Sequence, residues 1–316
     1  MTLSREIEAA GTIAISGHVR PDGDCVGACL SVYNYIKDNY PGKTVRVFLE
    51  YFSETFLFLR GADKVERALP GEERFDLFIS LDCADKERLG DFQPLLSSAV
   101  RSLVIDHHIT NKGFGDTCRV CPEASSTCEA LFELMDEERI SLETASCLYL
   151  GLVHDTGVFK HSNTTRKTME IAGRLLDKGV SSSYIIDETF YKKTFTQNKA
   201  LGYALQSSIL LGGGLVVAGC VSLEQKNNLG LQSGDMDGII DQLRVTDGTM
   251  AAIFVYETEP GSYKVSMRSK DPVDVSRIAM SYGGGGHVRA AGCQASSEDW
   301  KKLARDLAEK IMDQLQ

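Results

Sequence analysis

The sequence predicts an α/β protein, in which a first domain built on a parallel sheet is followed by a smaller α+β domain. In the first half of the chain, short apolar runs rich in β-branched residues alternate with helix-like stretches, and this pattern changes after about residue 190. Alternating strands and helices are typical of a largely parallel sheet covered on both faces. A length of 316 residues exceeds that of a typical domain and favours two domains.

Each predicted element of the first domain, residues 1–188, follows from its local pattern. Continuous apolar runs with β-branched and aromatic residues predict buried strands, and the stretches between them predict helices. The predicted strands are residues 12–18, 44–50, 75–82 and 102–108, and the predicted helices are residues 25–38, 85–97, 126–138 and 142–154.

The second half divides into a connecting segment, residues 189–207, and a substrate-binding domain, residues 208–316. The connecting segment begins with polar residues and predicts a helix that bridges the two domains. The elements predicted beyond it are a hairpin-like pair over 208–223, a helix near 234–244, strands near 249–256 and 262–268, a glycine-rich loop at 283–287 and an amphipathic helix over 297–315.

Composition and charge restrict the classes of partner. The net charge is −10, whereas proteins that coat long nucleic acid present a basic surface, so long duplex nucleic acid is not an expected partner. The N-terminal sequence lacks the features of a secretion signal, and no apolar run approaches the roughly 18–20 residues that span a bilayer. The nine cysteines are an odd number with one CxxC pair, and we interpret them as reduced. We therefore expect a cytoplasmic protein that does not bind membranes.

Acidic residues and histidines follow the predicted strands or lie next to the predicted helices. They are His18, Asp22, Asp24, Asp82, Asp106, His107, His108 and Asp155. Open α/β sheets place their sites at the carboxyl ends of the strands, so we expect these groups to lie together. Without a cation so many carboxylates would repel one another. Carboxylates with a few imidazoles suit Mn²⁺ or Mg²⁺ better than structural zinc, and a pair of such ions activates water for attack on phosphorus.

Five segments, in this order, resemble the motifs of the DHH phosphoesterase superfamily and of its DHH-associated C-terminal domain. They are HVRPDGDCVG (18–27), LDCAD (81–85), VIDHH (104–108), VHDTG (153–157) and GGGGHVRAAG (283–292). The size and both domains are most similar to the bacterial nano-RNase and pAp phosphatase group. This resemblance implies a manganese-dependent enzyme that acts on very short oligonucleotides and on 3′-phosphoadenosine 5′-phosphate (pAp).

The resemblance also implies a role for each of the clustered groups. The implied ligands are His18, Asp22 and Asp82 for one divalent metal ion, and Asp24, Asp82, His107 and Asp155 for a second. His108 is expected to be a catalytic residue that faces the scissile phosphate, and Asp106 is expected to orient His107. Mn²⁺ is the expected ion, with Mg²⁺ and Co²⁺ as alternatives because the three favour overlapping ligands.

Substrate contacts are expected from two further segments. The expected residues are Arg268, Gly284, Gly285, Gly286, His287 and Arg289 in the second domain, and Ser125 and Ser126 in the first. Glycines let backbone N–H groups approach a phosphate closely, although they also permit a tight turn. The two serines precede a predicted helix, where they cap the helix, present its N-terminus to a phosphate, or do both.

The expected reaction is two-metal hydrolysis of short single-stranded oligoribonucleotides, including linear pApA, to 5′-mononucleotides, and of pAp to AMP. A cleft between the domains is expected to select short substrates. Three alternatives stay open: a nucleotide-binding sensor without turnover, a cyclic-dinucleotide phosphodiesterase and a manganese pyrophosphatase-like enzyme. The first motif contains Asp-Gly-Asp where the pyrophosphatase branch tends to have Asp-Thr-Asp, which disfavours the last alternative. Related proteins often pair, so a homodimer also stays open.

Overall fold

The computed structural model describes residues 3–71 and 73–315. The chain forms two compact units, Met1–Lys192 and Lys193–Gln316, each with its own sheet. Within the described ranges, no helix is both long and apolar enough to cross a membrane.

The first unit is built on a five-stranded sheet in which every pairing is parallel. The strands are β1 (Thr12–Ser16), β2 (Thr44–Phe48), β3 (Leu77–Leu81), β4 (Arg101–Asp106) and β5 (Thr117–Val120). Their spatial order is β2-β1-β3-β4-β5. The four predicted strands are present, and the α/β class with a parallel sheet is confirmed. The unpredicted β5 is a partly exposed edge strand, so its sequence lacks the apolar run that marks a buried strand.

Helices and turns cover both faces of this sheet. The helices are α1 (Leu3–Glu8), α2 (Gly23–Asn39), α3 (Pro94–Ser98), α4 (Thr127–Leu134), α5 (Leu142–Asp155), α6 (Arg166–Asp177) and α7 (Ser182–Ile186). On one face, Ile13, Ile79 and Ile105 pack in one core with α2, α4 and α5. On the other face, Phe48 and Phe78 pack against the segment that runs from residue 89 to α3.

The prediction of one helix over 85–97 is wrong. Residues Glu87–Phe92 form a 3₁₀ turn, and α3 begins only at Pro94. Gly90, whose φ is 54°, kinks the chain within the 3₁₀ segment. A Cβ on Gly90 would lie 2.4 Å from Val19 Cγ1, so close packing against the segment after β1 requires glycine here and overrides the local helical pattern.

The two longest helices of the first unit, α2 and α5, approach each other through glycines. A Cβ on Gly27 in α2 would lie 2.5 Å from the carbonyl oxygen of Cys147 in α5. A Cβ on Gly151 in α5 would lie 2.3 Å from Asp24 Oδ1 in α2. The absence of these two side chains therefore sets the distance between the helices.

The second unit contains a six-stranded mixed sheet with a hydrophobic core on each face. Its strands are β6 (Ile209–Leu211), β7 (Val216–Val221), β8 (Ala251–Glu259), β9 (Ser262–Ser269), β10 (Gly285–His287) and β11 (Ala290–Ser296), in the order β10-β11-β9-β8-β7-β6. Its helices are α8 (Phe195–Gln206), α9 (Leu223–Leu229), α10 (Ile239–Arg244), α11 (Val275–Ser281) and α12 (Trp300–Met312).

The structure adds detail to two local expectations for this half of the chain. The expected bridging helix is α8, and its Ala200 and Ala204 are fully buried in the core that α8 forms with α10, β7 and β8 of the second unit. The glycine-rich segment 283–287 is partly a short edge strand, β10, which pairs antiparallel with β11. The effect of substituting these glycines therefore also depends on the packing of β10 against β11.

We predict opposite effects of adding one methyl group to two helical glycines. Gly27→Ala forces α2 away from α5 and is expected to lower the free energy of unfolding by roughly 1–3 kcal/mol, the usual cost of overpacking. Gly173→Ala in α6 meets no atom within 4 Å and is expected to raise it by roughly 0.5–1 kcal/mol. Urea unfolding followed by circular dichroism measures both changes, and equal effects would contradict the proposed close approach of α2 and α5.

Candidate active site

The ends of three neighbouring parallel strands bring four of the expected residues to one edge of the first sheet. His18 follows β1 by two residues, Asp82 follows β3 directly, and His107 and His108 follow β4. Because β3 lies between β1 and β4, Asp82 lies between the histidines. The sheet topology alone thus gathers this part of the site.

Two helices supply the remaining carboxylates. Asp22 is the N-cap of α2, and its Oδ1 accepts hydrogen bonds from the backbone N–H groups of Asp24 and Cys25, each at 3.1 Å. Asp24, in the first turn of α2, is fully buried. Asp155 is the last residue of α5. All six expected metal ligands therefore lie at the junction of the strand ends with α2 and α5.

The distances identify Asp82 as the centre of this group. His18 Nε2 lies 3.4 Å from Asp82 Oδ2 and 3.6 Å from Asp22 Oδ2. His107 Nε2 lies 3.6 Å from Asp82 Oδ1 and 3.0 Å from Asp155 Oδ2. Each oxygen of Asp82 therefore faces a different imidazole, as a bridging carboxylate does.

Hydrogen bonds at the opposite ring nitrogens fix two of these imidazoles. His18 Nδ1 lies 2.8 Å from the carbonyl oxygen of Val19, to which it donates, so Nε2 is directed at the carboxylates. Asp106 was expected to orient His107, and this expectation is wrong: Asp106 Oδ1 accepts from His108 Nδ1 at 2.8 Å. This hydrogen bond raises the pKa of His108, although burial opposes it. Asp106 is thus a positioning residue for His108.

The N-terminus of α4 binds Asp24. The backbone N–H groups of Thr127 and Cys128 donate to the two oxygens of Asp24 at 2.6 and 3.0 Å, and the Thr127 hydroxyl donates to Asp82 Oδ1 at 2.9 Å. These N–H groups had been considered for a substrate phosphate. In the structure a carboxylate of the protein takes that place, since helix N-termini favour negative charge.

The serines before α4 also have partners inside the protein. Ser126 is the N-cap of α4 and accepts from the backbone N–H of Glu129, which confirms the capping interpretation. Ser125 donates to Glu129 Oε2 at 2.6 Å. Both serines are fully buried, so the structure does not bring their side chains to the surface.

Close packing shifts the pKa values of the clustered groups. Burial lowers the pKa of His18, but hydrogen bonds to two carboxylates outweigh it and raise the pKa to about 12. For His107, burial is likewise outweighed by the hydrogen bond to Asp155 and by other carboxylates, and the pKa rises to about 10. Burial and the charges of Asp82 and Asp155 raise the pKa of Asp24 well above its usual range. The acids and imidazoles thus neutralise one another, a role that a cation takes over when the imidazoles bind it as neutral ligands.

The donor set fits divalent cations. The donor atoms form three overlapping groups, within each of which all atoms lie within 4.8 Å of one another: His18, Cys25 and Asp82; Asp82, His107 and His108; and Asp24, His107 and Asp155. Ligand atoms around a tetrahedral ion are about 3.3–3.8 Å apart when its bonds are roughly 2.0–2.3 Å long. The separations of 3.4 and 3.6 Å between Asp82 and the two imidazoles match this spacing. The described residues therefore provide adjoining candidate cation sites, in which Asp82 joins the first group to the second and His107 joins the second to the third.

Backbone strain is concentrated in the segments that form this site. Asp82 has a φ of 57°, and the other described residues besides glycine with positive φ are Arg20, Val158 and Phe159. Arg20 lies in the first motif, and the other two follow Asp155 closely. Such conformations persist where the surrounding structure enforces them, commonly at functional sites.

In the second unit, strand register places two of the expected substrate residues in one row. His287 pairs with Ala290, and Ala290 pairs with Arg268, so the side chains of His287 and Arg268 lie on the same face of the sheet. Arg268 Nε lies 3.5 Å from Asp241 Oδ1. Arg289, in contrast, donates to the carbonyl oxygen of Val273 at 2.6 Å, and so is held within its own unit.

The glycines of this segment have a packing role. A Cβ on Gly284 would lie 2.2 Å from the carbonyl oxygen of Gly292, and one on Gly286 would lie 2.5 Å from that of Ala290. Both glycines are therefore needed for the close approach of β10 to β11. Gly285 has open space beside it, so a side chain there would meet no neighbour within 4 Å.

Three residues outside the expected set of site residues support the site. Thr127 supports Asp24 and Asp82, Asn111 donates to Asp106 Oδ2 at 2.7 Å, and Asn163 donates to the carbonyl oxygen of Asp155 at 3.1 Å. Thr127 directly follows the two serines that were expected to contact substrate. Asn111 and Asn163 lie in loops without a recognisable pattern, so their roles depend on tertiary structure.

Comparison with known proteins agrees with this geometry. The N-terminal domain of the DHH family matches residues 12–152, and the DHHA1 domain matches residues 213–314. The bifunctional oligoribonuclease and PAP phosphatase NrnA of Bacillus subtilis (strain 168) is 31% identical over 315 residues, which cover 97% of this chain and 96% of the relative. The protein of the same description from Thermus thermophilus is 29% identical, with coverages of 96% and 90%.

A solved structure shares the fold over the whole chain. The crystal structure of an exopolyphosphatase-related protein from Bacteroides fragilis superposes with a TM-score of 0.83 at 24% identity, covering 98% of this chain and 94% of the other. The fold and the matched domains define a phosphoester hydrolase. The chain belongs to the DHH family of phosphoesterases, with a DHHA1 domain after the DHH domain, and the resemblance drawn from its five motifs is confirmed.

We predict that Thr127→Val weakens the binding of divalent cations. The substitution removes the hydroxyl that holds Asp82 but keeps the backbone N–H that holds Asp24, and loss of such a supporting group typically costs about 10–100-fold in metal affinity. Calorimetric titration of chelator-treated protein with Mn²⁺ measures the change. The control is Thr249→Val in the second unit, where an equally buried hydroxyl donates to the Thr246 carbonyl oxygen and no effect on affinity is expected. Equal Mn²⁺ affinities of the two variants would contradict the role of Thr127.

Proposed function

We propose that this chain is a manganese-dependent phosphodiesterase and phosphatase that hydrolyses short single-stranded oligoribonucleotides, including pApA, to 5′-mononucleotides and converts pAp to AMP. The observation that carries the proposal is the close grouping of Asp24, Asp82 and Asp155 around the imidazoles of His18 and His107. Two relatives that align with nearly the whole chain are described as bifunctional oligoribonucleases and PAP phosphatases, which supports the substrate class.

Two divalent ions, Mn²⁺ by preference, are the proposed cofactors. The proposed ligands are His18, Asp22 and Asp82 for the first ion, and Asp24, Asp82, His107 and Asp155 for the second. When bound, such a pair lowers the pKa of a water molecule and stabilises charge on phosphoryl oxygens. The protein's own contribution is to hold the donors in place: the Val19 carbonyl fixes the ring of His18, and Thr127 fixes the carboxylates of Asp24 and Asp82.

His108 is the proposed catalytic residue that contacts the scissile phosphate. Its Nδ1 is held by Asp106, so Nε2 is the nitrogen left for the substrate. The side chain is 39% exposed, whereas that of Asp82 is 3% exposed, and a substrate can therefore reach His108. In this position His108 is suited to bind a phosphoryl oxygen and to donate the Nε2 proton to the leaving oxygen.

The charge distribution supports short substrates over long ones. Binding along a long phosphate backbone requires many cationic side chains that are free to neutralise phosphates. The net charge of this chain is −10, and the guanidinium group of Arg289 lies beside Asp271. We propose that the row formed by His287 and Arg268 binds a phosphate of a substrate that has few phosphates. Long duplex nucleic acid is not a proposed partner.

We also propose a cytoplasmic location and self-association into a homodimer, which sedimentation analysis tests. All nine cysteines are free thiols, seven of them buried. Free thiols in this number suit a reducing compartment. The single CxxC pair, Cys118 and Cys121, lies at the edge strand β5, and the backbone N–H of Cys121 donates to the carbonyl oxygen of Asp106 at 2.8 Å.

Activity measurements on a panel of candidate substrates test the proposal as a whole. With Mn²⁺, we expect turnover of pApA, a pentanucleotide RNA and pAp, and little turnover of an RNA of roughly two dozen nucleotides, because the chain lacks net positive charge for a long backbone. Chromatography of the released mononucleotides and phosphate measures each rate, and removal of divalent ions by a chelator should abolish all of them. Preferential cleavage of pyrophosphate or of a cyclic dinucleotide would replace the proposed substrates. Binding without any turnover would indicate a sensor.

We predict that His108→Ala lowers kcat on pApA by about 10²–10⁴-fold, the usual contribution of a proton-transferring side chain. Asp106→Asn, which alters only the partner of His108 Nδ1, should cause a smaller loss of roughly 10–100-fold. Steady-state kinetics with pApA measure both variants. Mn²⁺ binding by His108→Ala is the control and should persist, because His108 is not among the proposed ligands. A kcat close to that of the wild type would exclude His108 as the proton donor.

A further inference from the structure

Cys25 is a cysteine thiol located among the donors of the first candidate cation site. It lies in the first turn of α2, directly after Asp24, and is fully buried. Its Sγ, a ring nitrogen of His18 and a carboxylate oxygen of Asp82 all lie within 4.8 Å of one another. Its Sγ lies 3.9 Å from the carbonyl oxygen of His18 and contacts the thiol of Cys29, so the sulfur has only weak hydrogen-bond partners.

Family resemblance assigns the carboxylate of Asp22 to the same ion, and Asp22 is more exposed than Cys25. The side chain of Asp22 is 56% exposed, and its Oδ1 already caps α2 by accepting from two backbone N–H groups. Its Oδ2 is 3.6 Å from His18 Nε2. The first site therefore has an exposed hard donor, Asp22, on one side and a buried soft donor, Cys25, on the other.

We propose that Cys25 is a further ligand of this first site and that it gives the site affinity for thiophilic divalent cations such as Zn²⁺. This inference rests on the proposed metal centre. Soft thiolate donors select zinc, whereas Mn²⁺ and Mg²⁺ prefer oxygen. A zinc or cobalt ion is held by His18, Cys25 and Asp82, while manganese binds with Asp22 in place of the sulfur.

The coordination step is a simple exchange. The S–H bond of Cys25 breaks, a sulfur–metal bond forms with the sulfur electron pair, and the proton passes to the buffer, as in other thiolate sites. No oxidant or reductant takes part. Because the thiol lies in the same helical turn as Asp24, zinc at this position occupies a place that the manganese-loaded enzyme needs.

Cobalt substitution provides a readout that is independent of activity. Chelator-treated protein is titrated with Co²⁺, and we expect a sulfur-to-cobalt charge-transfer absorption in the near ultraviolet. Cys25→Ser should lose this band while still binding cobalt. The matched control, Cys147→Ser, changes another fully buried cysteine, in α5, that bonds Asn34 and not Cys25, and it should keep the band. Competition titrations should show Zn²⁺ affinity reduced by about 10–100-fold in Cys25→Ser, with Mn²⁺ affinity nearly unchanged.

The outcomes distinguish failure of the proposed role of Cys25 from failure of the proposed metal centre. Cobalt binding without a sulfur band in the wild type, or a band that survives in Cys25→Ser, overturns the role of Cys25 but leaves the metal centre intact. Failure of the wild type to bind either cobalt or manganese overturns both. If Cys25→Ser does not fold, Cys25→Ala takes its place, and loss of the band in that variant supports the role of Cys25, whereas a band that persists overturns it.

Discussion

Three carboxylates, those of Asp24, Asp82 and Asp155, share the interior edge of the first unit with the imidazoles of His18 and His107, and their mutual repulsion must be offset for the fold to persist. Part of the compensation is visible in the protein itself. The N-terminus of α4 donates two backbone hydrogen bonds to Asp24, and the imidazoles face the remaining oxygens. Since buried charge without compensation is strongly destabilising, the position of α4 and the ionic state of the site depend on each other.

The need to accommodate these carboxylates also affects the packing of α2 against α5. Gly151 leaves space for the carboxylate of Asp24, because any side chain there would begin 2.3 Å from Asp24 Oδ1. Gly27 lets α2 and α5 come close enough for the two ends of the site, Asp24 and Asp155, to meet. Core packing and the geometry of the donor atoms therefore depend on each other. A change that separates α2 from α5 also separates the proposed ligands Asp24 and Asp155. Such coupling explains why glycines lie inside two long helices despite their low helix propensity.

The part of this architecture that was predictable from sequence is the part governed by topology. Buried parallel strands have continuous apolar runs, and their carboxyl ends share an edge, so the sequence alone predicts that His18, Asp82 and His107 meet. The partner of Asp106 was not predictable in this way. Asp106 accepts from His108 and not from His107 because of the directions in which the two imidazole side chains point. The sequence of two adjacent histidines does not reveal these directions. The edge strand β5 and the break at Gly90 escaped prediction because exposure in one case and a contact with Val19 in the other overrode the local pattern.

The donors of the site differ in what they determine. The carboxylates and imidazoles at the strand ends follow from the fold and from motifs shared with the DHH family, and in the proposed function they are the groups that account for the class of reaction. Cys25 is a feature of the side of α2 that faces His18, and nothing in the strand topology requires a thiol there. Hard donors from both strands and helices surround the sulfur of Cys25. The sulfur therefore adds selectivity among cations, while the carboxylates and imidazoles supply most of the donor atoms. The chemistry of phosphate hydrolysis and the choice of metal are therefore set by different residues of the same cluster.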